Sequence, residues 1–122
     1  MLLDSSAWIE LLSQGPLAHR IEREVRSVEV VVPTVVLFEV YRKVKRMSSE
    51  DRALSAVALM SSHEVVALDA EISLNAADLS IEHALAMADS VILAHACATG
   101  AQLLTLDNDF ASLSQATVLR HA

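Results

Sequence analysis

Cysteine is nearly absent from this chain of 122 residues: Cys97 stands alone. That excludes an internal disulfide and a thiolate metal cluster, and it fits a reducing cytoplasm. Two glycines and two prolines leave no Gly-rich phosphate loop, no Gly-x-Ser-x-Gly elbow and little room for a linker. Aromatic residues make up 3%, which gives little support to recognition by base stacking. Basic residues are scarce too, with 9 Lys and Arg against 16 Asp and Glu and a net charge of -7. Nucleic acid binding by bulk charge is therefore disfavoured, and a local basic patch or bound cations must compensate. The longest apolar stretch, Val30 to Phe38, is interrupted by Pro33 and Thr34, well short of the roughly 18 residues of a membrane span. No signal-peptide pattern opens the sequence. A cytoplasmic protein with no membrane association is expected. What is abundant is apolar: 53% of residues are hydrophobic, enough for a chain of this size to bury roughly two-thirds of its unfolded surface. One domain over residues 1–122 is expected, with disorder excluded.

Short runs rich in branched aliphatic residues, Met1–Leu3, Val28–Val32, Val65–Leu68, Leu103–Leu106 and Thr117–Leu119, read as strands. Between them the spacing is helical. A helix over Ser6–Ser13 follows the first strand. Pro33-Thr34 starts another that sets Val36, Val40, Val44 and Met47 on one stripe, with Leu37 and Tyr41 beside it. Ser48 with Asp51 signals a cap for a helix over Glu50–Ser61. Asp69 is the N-cap of one over Ala70–His83, and Gly100 the stop of one over Ala88–Thr99. Strands alternating with helices imply parallel pairing with both faces covered. The predicted fold is α/β, a three-layer α/β/α sandwich around a mainly parallel sheet of about five strands.

Open sheets of this kind bind ligands beyond the carboxyl ends of their strands. Asp4 follows the first strand, with Ser5 and Ser6, and Asp107-Asn108-Asp109 follows the fourth. Glu39 lies in the helix after the second strand, and Asp89 in the first turn of a helix that is otherwise nearly all apolar. Four separated segments can each supply a carboxylate. Hydrolysing a phosphodiester without a protein nucleophile needs an activated water and relief of charge on the phosphate, and divalent cations held by carboxylates provide both. Magnesium keeps several of its waters, so few protein ligands per ion suffice. No transition-metal site competes, because His19, His63, His83, His95 and His121 show no i, i+4 pair. None of them is assigned to catalysis.

Each acid also has a purely structural use. Asp4 can cap the first helix, Asp89 benefits from a helix dipole, and Asp107 with Asp109 suits an Asx turn. Glu39 falls on the polar side of its helix with Arg42, Lys43 and Arg46, where an exposed Glu39–Lys43 pair at i, i+4 is expected. Laid over the strand ends instead, that face puts Glu39 on a metal and the basic run of Arg42, Lys43, Lys45 and Arg46 on phosphate or a partner protein. Helix geometry alone favours the exposed pair. Trp8 reads as core or interface, and Cys97 as a small buried hydrophobe on its apolar helix.

In their order and spacing, four segments resemble the PIN-domain ribonucleases, especially the VapC-type toxins of bacterial toxin–antitoxin modules, across the whole chain. They are Met1-Leu2-Leu3-Asp4-Ser5-Ser6-Ala7, Pro33-Thr34-Val35-Val36-Leu37-Phe38-Glu39-Val40, Ala88-Asp89-Ser90-Val91-Ile92-Leu93-Ala94 and Leu103-Leu104-Thr105-Leu106-Asp107-Asn108-Asp109-Phe110. The family's helix-sandwiched parallel sheet agrees with the fold reached from periodicity. The resemblance implies that Asp4, Glu39 and Asp89 bind metal and that Asp107 is a fourth acid, a role Asp109 can share or replace. Ser6 matches a small hydroxyl residue that hydrogen-bonds a ligand or water, helix capping being its alternative use. Also implied are Mg²⁺- or Mn²⁺-dependent endoribonuclease activity on RNA, inhibition by a cognate antitoxin protein, a homodimer, and inhibition of translation and growth.

Two other classes compete. A catalytically silent PIN-like binding or scaffold module needs none of the four acids, all of which are present. A phospho-acceptor or phosphatase domain also places Asp at strand ends, but it needs a second acid at the first strand and a lysine near the last. Asp4-Ser5-Ser6 lacks that acid, and no lysine follows Met47.

Overall fold

The computed structural model describes residues 1–120, so His121 lies outside the described residues. Five strands, β1 (Leu2–Leu3), β2 (Val31–Pro33), β3 (Glu64–Val66), β4 (Leu103–Thr105) and β5 (Ala116–Val118), form one sheet. Its order is β3-β2-β1-β4-β5 and every pairing is parallel. Helices α1 (Ser5–Leu12) and α2 (Ala18–Val25) join β1 to β2, and α3 (Thr34–Met47) and α4 (Glu50–Met60) join β2 to β3. Helices α5 (Ala70–His83) and α6 (Met87–Thr99) return the chain to β4, and a single 3-10 turn, Asn108–Phe110, precedes β5. This is the expected three-layer α/β/α sandwich.

The central strands are almost wholly apolar because helices cover both faces: Leu2, Leu3, Val32, Leu103, Leu104 and the one polar residue, Thr105, each expose 1% or less. The edge strands β3 and β5 are less covered. Every residue of α6 from Ser90 to Ala96 is buried, so that helix needs no polar stripe there. Trp8 is core, with its ring 5.8 Å from that of His63. Asp69 caps α5 by accepting from Ile72 N at 2.8 Å, and Gly100 ends α6 at φ +67. No single helix among the described residues is long and apolar enough to cross a membrane.

Some expectations need correction. Strand β2 starts at Val31, leaving Val28 47% exposed, and the cap of α4 is Ser49, which accepts from Arg52 N at 3.1 Å, rather than Ser48. The α3 stripe buries Val36 and Val40, whereas Met47 at the last helical position is exposed. Cys97 is exposed as well, because burial along α6 stops at Ala96. Helix α2 has no local capping signal: Leu17 N donates instead to Glu10 Oε2 at 2.8 Å. Gly15 permits this, since a Cβ there would lie 2.3 Å from Glu10 Oε1.

From β1 the chain moves outward to β2 and β3, then crosses back to place β4 on the other side of β1. The carboxyl ends of β1 and β4 thus adjoin where the strand order reverses, the place where ligands bind in open parallel sheets.

Candidate active site

Strands β1 and β4 pair in register, Leu3 against Leu104, and Asp4 N donates to Leu104 O at 3.2 Å. Asp4 therefore sits at the reversal point, 4% exposed. Its Oδ1 caps α1 by accepting from Ala7 N at 3.0 Å and also accepts from Ser6 Oγ at 2.6 Å. Its Oδ2 accepts from Thr105 Oγ1. Each hydroxyl in turn accepts an N–H from the exit of β4, Leu106 N to Ser6 Oγ at 3.0 Å and Asp107 N to Thr105 Oγ1 at 2.9 Å. With both hydroxyl protons spent on Asp4, the network runs one way, from backbone through hydroxyl to carboxylate. Burial raises the Asp4 pKa; hydrogen bonds from Ser6, Thr105 and Ala7 oppose the rise, and the charge of Asp107 adds to it.

Glu39 reaches the same end of the sheet from α3. It is half-buried, and Oε1 is enclosed without a hydrogen-bond partner. Burial raises its pKa, Ser5 partly offsets this, and Asp89 and Asp4 raise it further. The expected Glu39–Lys43 pair does not form: ion pairs among the described residues are His19–Glu22, Lys45–Glu50 and His83–Glu82. Glu39 turns toward the other carboxylates instead of along its helix.

Asp89, in the first turn of α6, is half-buried. One carboxylate oxygen from each of Asp89, Asp107 and Asp109 lies within 4.8 Å of the others. Burial, then Asp107, Asp109 and Asp4, push the Asp89 pKa up to about 6. Asp107 also makes the Asx turn, accepting from Asp109 N at 2.8 Å. The structural uses of Asp4 and Asp107 are therefore real, and neither prevents convergence. Both Asp107 and Asp109 join the cluster.

Thr105 is the participant that strand periodicity does not mark; its only signal is a hydroxyl between leucines at a strand end. Ser6 bridges Asp4 to Leu106 N and does not cap α1, a position that Asp4 takes. Glu39 lines a cavity of about 470 Å³ with Ser5, Phe38, Arg42, Lys43 and Arg46. The three converging donors, Asp89, Asp107 and Asp109, are carboxylates alone, like-charged and close, and so fit a hard divalent cation; Asp4 and Glu39, whose enclosed Oε1 has no partner, flank that group without being part of it.

The PIN domain family profile matches residues 1–115. The chain belongs to the PIN-domain family. Solved structures carry this PIN fold at low identity. A toxin–antitoxin complex from Klebsiella pneumoniae matches at 22% identity and TM-score 0.79, covering 96% of this chain and 95% of that one. Mycobacterium tuberculosis VapC20, described as a Sarcin-Ricin loop cleaving toxin, matches at 20% and 0.76, covering 93% and 94%. Rickettsia felis VapBC2 bound to a promoter DNA fragment matches at 16% and 0.76, covering 97% and 96%. No curated protein sequence matches this PIN domain.

Proposed function

We propose that this PIN domain, acting as one unit over residues 1–122, is a metal-dependent endoribonuclease that hydrolyses RNA phosphodiester bonds. It serves as the toxin of a toxin–antitoxin pair and inhibits translation and growth. The observation that carries this reading is the convergence of Asp89, Asp107 and Asp109 with Asp4 and Glu39 where the strand order reverses. Toxin–antitoxin complexes among the similar folds, and the RNA-cleaving toxin VapC20, support it.

Asp89, Asp107, Asp109, Glu39 and Asp4 would hold the cation, Mg²⁺ or Mn²⁺. When bound, it neutralises the carboxylates, acidifies water and offsets charge on the phosphate. The protein supplies orientation and proton handling. Ser6 and Thr105 lock the Asp4 carboxylate in one rotamer. Burial and repulsion from Asp107, Asp109 and Asp4 push the Asp89 pKa up to about 6 in the metal-free cluster, and a cation held there would relieve that repulsion. Arg42, Lys43 and Arg46 face RNA phosphate or the antitoxin. The cognate antitoxin protein and a second copy of the chain, in a cytoplasmic homodimer, are the protein partners; exposed Leu74, Ile81 and Met87 offer apolar contact for them.

An RNA cleavage assay with wild type, Asp4→Asn and Asp89→Asn, with and without Mg²⁺ or Mn²⁺, tests the reading. Cutting that needs metal and vanishes in both folded variants is expected. A folded, antitoxin-free wild type that cuts none of a diverse RNA set would move the protein to the silent binding-module class.

A further inference from the structure

We propose that the cavity against Glu39 seats one nucleotide of a single-stranded RNA, its phosphate on Arg42, Lys43 and Arg46 and its base stacked on Phe38. This deepens the ribonuclease reading and rests on it for the identity of the strand.

Three of the chain's nine basic residues line this one cavity. Among the described residues none of the three forms an ion pair, so their charges are uncommitted. They also rise in a row from the carboxylate end of α3. At about 1.5 Å per residue, Arg42 and Lys43 lie roughly 5 Å and Arg46 roughly 10 Å beyond Glu39 along the axis. A protein of net charge -7 thus places free cations beside its candidate cleavage point, where a strand must overcome repulsion from the acids.

The base is assigned to Phe38 by its exposure. Trp8 and Phe110 are at most 2% exposed and Tyr41 is half-buried, whereas Phe38 is 65% exposed. Among the described residues Phe38 is thus the only exposed Phe, Tyr or Trp, and it belongs to the cavity that holds both a candidate metal ligand and the cations. Low aromatic content argues against stacking in general, but a single ring in this place suffices for one base. Arg42, one turn on from Phe38, has a planar guanidinium that can bind phosphate or pack on the same base. A volume of about 470 Å³ is in the range of small-ligand sites. The base must be unpaired to reach the ring, which makes the ligand single-stranded.

The test is fluorescence anisotropy with a labelled mixed-sequence single-stranded RNA in EDTA, which stops cleavage, and a matched duplex beside it. Arg42→Ala/Arg46→Ala is expected to weaken binding about tenfold or more at low salt and to flatten the salt slope by about 1.4, since each single-strand phosphate contact adds about 0.7. Phe38→Ala is expected to weaken single-strand binding about fivefold or more with the salt slope unchanged. Phe38→Tyr should restore it, and the duplex should be indifferent to Phe38. Unchanged single-strand affinity in Phe38→Ala overturns the proposal. So does a fall in sedimentation mass from two chains to one at constant RNA affinity, which would assign the ring to contact between copies. Phe38-dependent binding by a wild type that cuts nothing in Mg²⁺ or Mn²⁺ would uphold the nucleotide seat and remove the nuclease reading alone.

Discussion

The Thr105 hydroxyl donates to Asp4 Oδ2 while it accepts the Asp107 N–H at 2.9 Å. A single side chain on β4 thereby ties the acid that follows β1 to the loop that carries Asp107 and Asp109. Ser6 repeats the device from α1, taking Leu106 N and giving its proton to Oδ1. The carboxylate cluster is positioned through backbone groups at the sheet's reversal point.

Thr105→Val keeps the shape and removes the hydroxyl. Asp4 Oδ2, which is buried, and Asp107 N, which is part-buried, each lose a partner, at a cost of about 1–3 kcal/mol. The urea midpoint should fall with the m-value unchanged. The lost bond had favoured ionised Asp4, so its pKa should rise further and the acid limb of the cleavage profile should move to higher pH. Thr105→Ser should behave as wild type. An unaltered midpoint in the valine variant would show that the hydroxyl does not organise the site.

Much of this was legible in the sequence because its signals are local. Branched aliphatic runs located the strands within a few residues, and Asp69 and Gly100 marked helix ends through contacts with their own turns. Parallel topology then put Asp4 and Asp107 at strand ends. The rest depends on distant partners. Helix α2 is capped from Glu10, seven residues before Leu17, and Thr105 acts on a residue 101 positions away. A helical wheel shows that Glu39 is on a polar face but not that this face covers strand ends instead of solvent. Cys97 follows seven buried neighbours whose periodicity cannot tell where the helix emerges.

His95 is fully buried, and neither ring nitrogen has a partner. Burial lowers its pKa from 6.5, with Asp69 opposing. The unfolded chain therefore binds a proton that the fold refuses, so stability is full above about pH 6.5 and is lost as pH falls below it. His95→Leu removes an unsatisfied polar group and should be neutral or stabilising by about 1 kcal/mol at pH 7, with a larger gain at pH 5.5. Thermal unfolding at the two pH values checks this; equal differences would remove His95 from the acid response.

Ala84 ends α5 in the left-handed region, at φ 54 and ψ 42, while its N–H donates to Ser80 O. A Cβ is disfavoured there, and the residue is exposed, so Ala84→Gly relieves strain without opening a cavity. A gain of about 0.5–1 kcal/mol is expected, or roughly 2–5 °C in melting temperature. Calorimetry showing a lower melting temperature would mean that glycine's extra freedom in the unfolded chain outweighs the relief.

Asp89→Asn separates stability from activity. The folded pKa of Asp89 is about 6 against a reference of 3.8. Between those values the fold keeps a proton that the unfolded chain has released, so stability falls as pH rises through the window and the full cost is present above it. Removing the charge should therefore stabilise the metal-free protein at pH 7.5 by about 1 kcal/mol, the value being reduced because the group is partly exposed and solvent screens its neighbours. At pH 3.5 the gain should vanish. Added Mg²⁺ or Mn²⁺ should raise the melting temperature of wild type more than that of the variant, since the same acid that burdens the empty cluster contributes to holding the cation. Loss of cleavage together with a gain in metal-free stability would identify Asp89 as a residue kept for chemistry at the expense of the fold. A variant that is inactive and less stable would instead give Asp89 a structural role at the start of α6.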